Sequence, residues 1–277
     1  MKTILITTDF SSNSKSAIRF ALQMHSQALC KFVFYSVVET IAPTSWPKAE
    51  VDKFLKSELE KGRAQLKSFL EKAFKQLKVS NIDYQYEVQI GSAVSNMIIA
   101  YAKEIKADFI CMGTRGAGAF QKIMGTHAST LVNSSPVPVI VVPKNYRLKD
   151  IDKVAYASDL ENLEGEIPTA LSFSGLFAVP LEVYHFNMLT PKQNETKEKG
   201  LNLQYRNQLC SFYCLQQKVQ DTFIKNLQRV IKNKKPSMLI MFSKHKPNWI
   251  ERLFFAGFTA GMSFDINIPL VSFRKES

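Results

Sequence analysis

Strand-like and helix-like patterns alternate along the first half of the chain. Short, mostly apolar runs predict strands at residues 4–8, 31–38, 84–88, 109–112 and 137–142. Apolar residues at helical spacing predict helices between them, at residues 14–26, 47–77, 92–105 and 127–133. Apolar strands that alternate with helices are typical of a parallel sheet covered by helices on both faces. The pattern therefore predicts an α/β fold.

The order of these patterns recurs in the second half. The repeated segments are 4–10 and 154–160, 109–112 and 238–241, and 136–142 and 268–273. A repeat in the same order indicates two copies of one unit. We therefore predict two tandem Rossmann-like domains, at residues 1–143 and 151–277, each with a five-stranded parallel sheet and helices on both faces. Residues 144–150, a polar stretch with few apolar anchors, would join them.

Composition narrows the classes of function. The 277 residues carry a net charge of +12, but lysines alternate with glutamates, as over residues 53–78. This spacing is typical of solvated helix faces, so we predict no nucleic-acid partner. No apolar run approaches the roughly 20 residues that span a bilayer, and residues 1–6 look like a first strand rather than a signal peptide. The sequence predicts a cytoplasmic protein without membrane contact.

Two features of the second half carry little chemistry. Residues 187–208 are rich in Lys, Glu, Asn and Gln, which predicts a mobile loop. Cys210 and Cys214 are four residues apart, the spacing of one helical turn, with no second pair or histidine nearby to complete a metal site. We interpret both as reduced thiols on a helix.

A glycine-rich stretch after the fourth predicted strand is the strongest candidate for chemistry. It reads Met112-Gly113-Thr114-Arg115-Gly116, and Gly125-Thr126 follows after eight further residues, just before a predicted helix. Glycines let backbone N–H groups approach an anion closely, and a helix N-terminus adds partial positive charge. The stretch therefore predicts a phosphate-binding loop.

Other candidates lie at the ends of neighbouring predicted strands, namely Asp9, Val37 and Gly91. Ligands of open parallel sheets bind beyond the carboxyl ends of the strands, where the strand order reverses. We therefore expect these residues to share one crevice with Gly113.

The chain resembles the universal stress proteins in their tandem form. The residues that carry the resemblance are residues 4–11, Ser36-Val37-Val38, Val88-Gln89-Ile90-Gly91, the glycine-rich stretch with Gly125-Thr126, and Pro136-Val137-Pro138-Val139. The resemblance covers the whole chain and is much stronger over residues 1–143. The spacer between the glycine sites, residues 117–124, is one residue shorter than in nucleotide-binding members of the family.

The resemblance implies a site for ATP, with or without Mg. It places Asp9 against the adenosine and the backbone of Val37 against the adenine ring. It includes Met112 among the residues of the nucleotide site, and it assigns the phosphates to Gly113, Gly116, Gly125 and Thr126. Members of the family pair through their last strands, which implies an intramolecular pseudo-dimer with residues 138–142 and 269–273 side by side. A further homodimer of this pair stays open.

Each candidate also has a structural interpretation. Asp9 can cap the helix that follows it, and Gly91 can be a turn glycine. Gly113 and Gly116 can serve tight packing of a strand against a helix. His127 is interpreted as a surface residue.

The second copy departs from the motif. Phe242-Ser243-Lys244-His245 replaces the stretch that begins at Gly113, and Ala256-Gly257 replaces Gly125-Thr126. Phe242, with Phe254, Phe255 and Phe258, is predicted to fill the space that phosphates need. We therefore predict that the second domain binds no nucleotide, although Asp159 is retained, and that it serves as a built-in partner.

Three hypotheses of function follow. The leading one is an ATP-binding universal stress protein that acts as a nucleotide-responsive regulator, with an unknown protein partner. The second is a scaffold for protein contacts that binds no nucleotide, which the shorter spacer and the altered second copy favour. The third is a slow ATPase, but the sequence offers no Walker loop and no nucleophile–base pair, so we predict no catalytic residue.

Overall fold

The computed structural model describes residues 1–11, 14–79, 82–114, 126–217, 220–243 and 267–275. Its first half comprises β1 Lys2–Thr7, α1 Ser14–Gln27, β2 Cys30–Val38, α2 Lys48–Leu77, β3 Tyr84–Ile90, α3 Val94–Glu104, β4 Phe109–Gly113, α4 Thr126–Ser134 and β5 Val139–Val142. Its second half comprises β6 Val154–Ala157, α5 Leu163–Gly175, β7 Leu181–Asn187, α6 Pro191–Gln204, β8 Cys210–Gln216, α7 Phe223–Lys234, β9 Met238–Ser243 and β10 Leu270–Arg274.

The ten strands form one continuous sheet in the order β3-β2-β1-β4-β5-β10-β9-β6-β7-β8. Strands within each half are parallel and follow the same order from the outer edge to the centre. The halves meet where β5 and β10 pair antiparallel, with Val141 opposite Leu270 and Val139 opposite Ser272. The predicted α/β fold is confirmed, and the last strands lie side by side. The domain bounds 1–143 and 151–277 stay a prediction.

The sheet is covered on both faces, which explains why its central strands are largely apolar, whereas the edge strand β3 carries Gln85, Glu87 and Gln89. Successive residues of a strand point to opposite faces, so Ile4 and Ile6 join one core cluster while Leu5 joins the other. Buried side chains of α1, α2 and α5 complete the first cluster, and those of α3, α4 and α7 complete the second. No helix in the described ranges has the length and apolarity needed to cross a membrane.

The segment between the two halves is anchored to α1. Tyr146 and Ile151 are buried, and Tyr146 packs edge-on against Phe20. The Ile151 N–H donates to Gln27 Oε1 at 2.9 Å, and Gln27 Nε2 donates back to the Ile151 carbonyl at 3.0 Å. Residues 144–150 are therefore held more firmly than their polar composition predicts.

Two predictions for the second half are wrong. Residues 187–208 contain helix α6, because Thr190 and Gln193 form a capping box: Thr190 Oγ1 accepts the Gln193 N–H at 3.4 Å, and Gln193 Oε1 accepts the Thr190 N–H at 3.0 Å. Pro191 at the first turn adds a start signal. Cys210 and Cys214 lie on β8 rather than on a helix, where residues four apart share one face of the strand.

Candidate functional site

A cavity of about 180 Å³ opens at the carboxyl ends of β1 and β4. The chain moves outward from β1 to β2 on one side, and β4 pairs with β1 on the other, so this is the point where strand order reverses. Four predicted site residues line it: Asp9, Val37, Met112 and Gly113. Thr126 begins α4, and Gly116 and Gly125 lie outside the described residues.

The main chain of Val37 faces this cavity. The ladder between β1 and β2 ends where the Thr8 N–H donates to the Tyr35 carbonyl at 3.0 Å. Backbone groups of alternate residues point to the same side of a strand. The N–H and C=O of Val37, two residues after Tyr35, therefore point toward the crevice past the end of β1. Such a donor and acceptor pair can bind the edge of a planar base.

The loop after β1 is built by short side chains. Thr8 Oγ1 accepts the Phe10 N–H at 3.0 Å, and Asp9 Oδ1 accepts the Ser11 N–H at 3.1 Å. These bonds hold Phe10 at φ 61, a left-handed conformation that is uncommon outside glycine. Among the described residues, the side chain bonded to the first amide of α1 is that of Ser11, whose Oγ accepts the Ser14 N–H at 3.4 Å. Asp9 therefore shapes the loop while its exposed carboxylate lines the cavity.

Helices α3 and α4 form the opposite wall. Val94 and Ile98 of α3 line the cavity, and so does His127 of α4. Ser95 Oγ lies 3.0 Å from His127 Nδ1, within hydrogen-bond distance. His127, interpreted from the sequence as a surface residue, is half-buried in this wall.

Gly91 lies outside the cavity and serves packing instead. Its N–H donates to the Val38 carbonyl at 3.2 Å. A Cβ at this position would lie 2.4 Å from Met97 Sδ on α3, too close for an ordinary contact. The structural interpretation of Gly91 therefore fits better than a role at the site.

Tyr35 forms part of the cavity lining from β2. Its hydroxyl donates to Gln89 Oε1 at 2.7 Å, and its ring stacks on Tyr101 at a centroid distance of 4.5 Å. Burial raises the pKa of Tyr35 above its usual range. The phenol is thus neutral at physiological pH and supplies packing and polarity rather than charge.

Comparison with known proteins decides the family. A family model described as the universal stress protein family matches residues 1–143. A universal stress protein of Methanocaldococcus jannaschii is 31% identical in an alignment of 151 positions that covers 52% of this chain and 82% of that protein. The chain belongs to the universal stress protein family.

Solved structures extend the likeness to the second half of this universal stress protein. A universal stress protein from Archaeoglobus fulgidus DSM 4304 matches with a TM-score of 0.69 at 15% identity, over 98% of both chains. A functionally unknown protein from Pseudomonas aeruginosa PAO1 matches with a TM-score of 0.56 at 13% identity, over 99% of this chain and 92% of that one. These likenesses concern the fold, and they span both halves.

The second half repeats the loop but ties its aspartate to a lysine. Asp159 Oδ1 and Oδ2 each lie 2.9 Å from Lys275 Nζ, and Glu166 Oε1 lies 3.1 Å from the same nitrogen. The side chains of Lys275 and Glu166 are only 7% and 2% exposed. Burial alone would lower the pKa of Lys275, but hydrogen bonds to Asp159 and Glu166 outweigh it and raise this pKa. The ammonium group of Lys275 therefore stays charged and forms an ion pair with the Asp159 carboxylate.

Two aromatic rings stand where the first half has smaller side chains. Phe186 of β7 corresponds to Val37, two residues after the tyrosine that pairs with the end of the first strand. Phe223 begins α7 as Val94 begins α3. The two rings pack edge to face at 5.5 Å. The second half thus has two larger side chains at the positions of Val37 and Val94.

Phe242 has a different place from the one predicted. Its ring packs against Tyr156 at 5.2 Å and Phe273 at 5.3 Å, inside the core cluster that α5 covers. The described rings at the second crevice are Phe186 and Phe223 instead. Phe254, Phe255 and Phe258 lie outside the described residues.

The described residues offer little for metal or covalent chemistry. They contain no group of three or more His, Cys, Asp or Glu side chains that could hold a metal ion. Burial raises the pKa of Cys30 to about 11 and that of Cys210 to about 12, so neither thiol is a ready nucleophile near neutral pH. By its geometry the first crevice is a candidate site for ligand binding.

Proposed function

We propose that this universal stress protein binds ATP, with or without Mg, in the crevice of its first half and acts as a nucleotide-responsive regulator in the cytoplasm. One observation carries the proposal. The cavity at the reversal of strand order receives the main-chain N–H and C=O of Val37 and is lined by Asp9 and Gly113. The N–H and C=O of Val37 can hydrogen-bond to the edge of a base whose faces contact the apolar walls. The nearby carboxylate of Asp9 can accept hydrogen bonds from ribose hydroxyls.

Each wall of the cavity has a part in this proposal. Val94, Ile98 and Met112 supply apolar surface for the faces of the adenine ring. The described walls enclose about 180 Å³, less than the roughly 300–1,000 Å³ of a typical small-molecule pocket, which suits the base with part of the ribose. The phosphates then extend toward Gly113 and the N-terminus of α4, where backbone N–H groups favour anions.

The sequence supplies the rest of the phosphate site. Gly116, Gly125 and Thr126 complete the glycine motif of nucleotide-binding members, with a spacer one residue shorter. The proposal is that this spacer still lets backbone N–H groups reach the phosphates. Gly116→Val should then weaken ATP binding, because a side chain would prevent close backbone approach.

The second half provides a direct test of the base site. Replacing Val37 and Val94 together by Phe copies the ring pair of Phe186 and Phe223 into the first crevice. We expect the double variant to fold, and its affinity for ATP to fall by at least about tenfold, or about 1.4 kcal/mol. Calorimetric titration with ATP measures this, and mass spectrometry of small molecules released by heating fresh protein identifies any nucleotide that copurifies.

The matched control reverses the exchange. Phe186→Val with Phe223→Val changes the same two positions of the second half and should leave ATP affinity unchanged. Equal weakening by both double variants would show that the loss reflects folding rather than the site. Absence of ATP binding by the wild-type protein would contradict the proposal.

A scaffold function is the second candidate, and the two larger side chains of the second half, Phe186 and Phe223, favour it for that half. In this hypothesis neither crevice binds nucleotide, and the protein acts through contacts with an unknown protein partner. The same titration separates the two candidates, since a scaffold shows no saturable ATP signal. A slow ATPase would require turnover above background, for which the described residues supply no metal cluster.

A further inference from the structure

We propose that His127 senses the phosphate charge of the bound nucleotide, so that binding of nucleoside polyphosphates in the first crevice strengthens as this imidazole is protonated. The inference rests on the proposed function and adds a regulation to the same site. It assigns to one side chain the distinction between ATP and ligands that lack phosphate.

The position of His127 is the first argument. It is the second residue of α4, directly after Thr126, and it lines the same cavity as Asp9 and Gly113. The N-terminus of α4 carries the partial positive charge that attracts anions. His127 is half-buried, so a charge on its ring is less screened than one at the open surface.

The contact between Ser95 and His127 is the second argument. Ser95 Oγ lies 3.0 Å from Nδ1, so α3 holds one edge of the ring. Nε2 is then the nitrogen left to meet a ligand. In the imidazolium both nitrogens donate, Nδ1–H to the Ser95 hydroxyl and Nε2–H to an anion. A ring oriented in this way forms a charge-assisted hydrogen bond to a phosphate oxygen without first changing its rotamer.

Charges of both signs surround the cavity. The carboxylates of Asp9 and Glu39, which follow β1 and β2, line it, while the N-terminus of α4 adds partial positive charge beside the ring and Tyr35 stays neutral. Among the described residues, α4 makes its main contacts with α3, β5 and β10, and the described parts of these elements place no titratable side chain in the cavity lining. Bound polyphosphate adds negative charge, so protonated His127 offsets the repulsion between ligand and carboxylates.

The experiment compares three ligands at two pH values. Wild-type protein is titrated with ATP, AMP and adenosine by calorimetry at about pH 5.5 and pH 8, on either side of the usual histidine pKa. If ATP raises the pKa of His127 by about one unit, its affinity changes up to about tenfold across this range. We expect the largest change for ATP, a smaller one for AMP and none for adenosine.

His127→Gln is the main control, because glutamine keeps a polar side chain that does not titrate. ATP itself gains a proton in the same pH range, and the variant reports that contribution alone. We expect the variant to retain ATP binding with a clearly flatter pH profile. Ser95→Ala should keep part of the response, since it frees the ring but retains the imidazole. The imidazole NMR signal of His127 gives an independent readout, with a pKa that rises on addition of ATP and not of adenosine.

Three outcomes would overturn the inference, and they are distinguishable. A pH profile in His127→Gln equal to that of the wild type assigns the effect to the ligand or to other groups. An equal response to adenosine and ATP shows that phosphate charge is not sensed. Failure of the wild type to bind ATP at either pH contradicts the proposed function as well.

Discussion

The two halves of the molecule share one loop and differ in what stands beside it. Phe10 and Leu160 adopt nearly the same left-handed conformation, at φ 61 and φ 63, and each follows an aspartate that accepts the N–H two residues further on. In the first half this aspartate is exposed and lines an open cavity. In the second half Asp159 is bound by Lys275.

The comparison shows that the aspartate motif is firstly an element of the fold. Its turn forms in both halves, whether or not the space beside it is open. What stands beside this turn in the second half is set by side chains from distant parts of the chain, namely Phe186, Phe223 and Lys275. A strand that ends in aspartate is therefore weak evidence for binding until the residues around it are placed.

The largest effect is expected from Lys275→Met. This change leaves Glu166, only 2% exposed, without its ammonium partner. Removal of one partner from a buried ion pair costs about 3–5 kcal/mol, and we expect the lower end because Asp159 is half-exposed. Urea denaturation of the full chain measures the loss in the free energy of unfolding.

Lys144→Met is the matched control, because Lys144 follows β5 as Lys275 follows β10, and it is exposed. It should change stability very little. Since the folded-state pKa of Lys275 is raised, its stabilisation is fully present below the unfolded pKa of about 10.4 and is lost as pH rises through the folded value. The difference between wild type and Lys275→Met should therefore shrink above about pH 10.4. Equal stability of the two variants at pH 7 would show that the lysine contributes nothing.

A middle-sized effect is expected from Phe186→Val with Phe223→Val. Both rings are partly buried and pack on each other at 5.5 Å, and truncation leaves space that the neighbours only partly fill. We expect a loss of about 1–3 kcal/mol in the free energy of unfolding. The opened second crevice should still bind no ATP, because Lys275 remains on Asp159. Binding of a second equivalent of ATP by this variant would mean that the rings alone separate the halves.

The smallest effect is expected from Thr190→Ala. Helix α6 begins with a capping box at Thr190, whereas α2, which follows β2 in the first half, begins after Pro47 without a side-chain cap. Loss of the cap should lower the free energy of unfolding by about 1 kcal/mol. The rate of hydrogen exchange should increase first at the amides in the first turn of α6. An unchanged exchange rate there would indicate that packing on β8 holds the helix by itself.

Most of the fold was predictable because the pattern of apolar and polar residues along the chain agrees with the order of its strands and helices. The alternation of apolar strands and amphipathic helices placed β1 to β5 within a few residues of their bounds. Failures occurred where local composition was used without capping signals. The polar stretch that holds α6 carried Thr190-Pro191-Lys192-Gln193, which is a helix start, and the spacing of Cys210 and Cys214 suits one face of a strand as well as one helical turn.

The candidate site was predictable to a smaller extent. Asp9, Val37, Met112 and Gly113 each end or follow a strand, so the general rule for parallel sheets brought them together. His127 was missed as a wall residue because its contact with Ser95 joins two helices that are far apart in sequence. Lys275 was missed because an ion pair over such a separation depends on the register of β10 against β9. An alignment of the two halves by their equivalent strand pairs would have shown that Phe186 occupies the position of Val37.

The antiparallel pair of β5 and β10 also limits how this chain can assemble with others. A separate chain that docked on this edge of β5 would need its free backbone groups, and β10 of the same chain already occupies them. Because that competitor is tethered, its effective concentration exceeds that of a free subunit. The two halves are thus present in a fixed one-to-one ratio, which exchange of subunits with other chains cannot change.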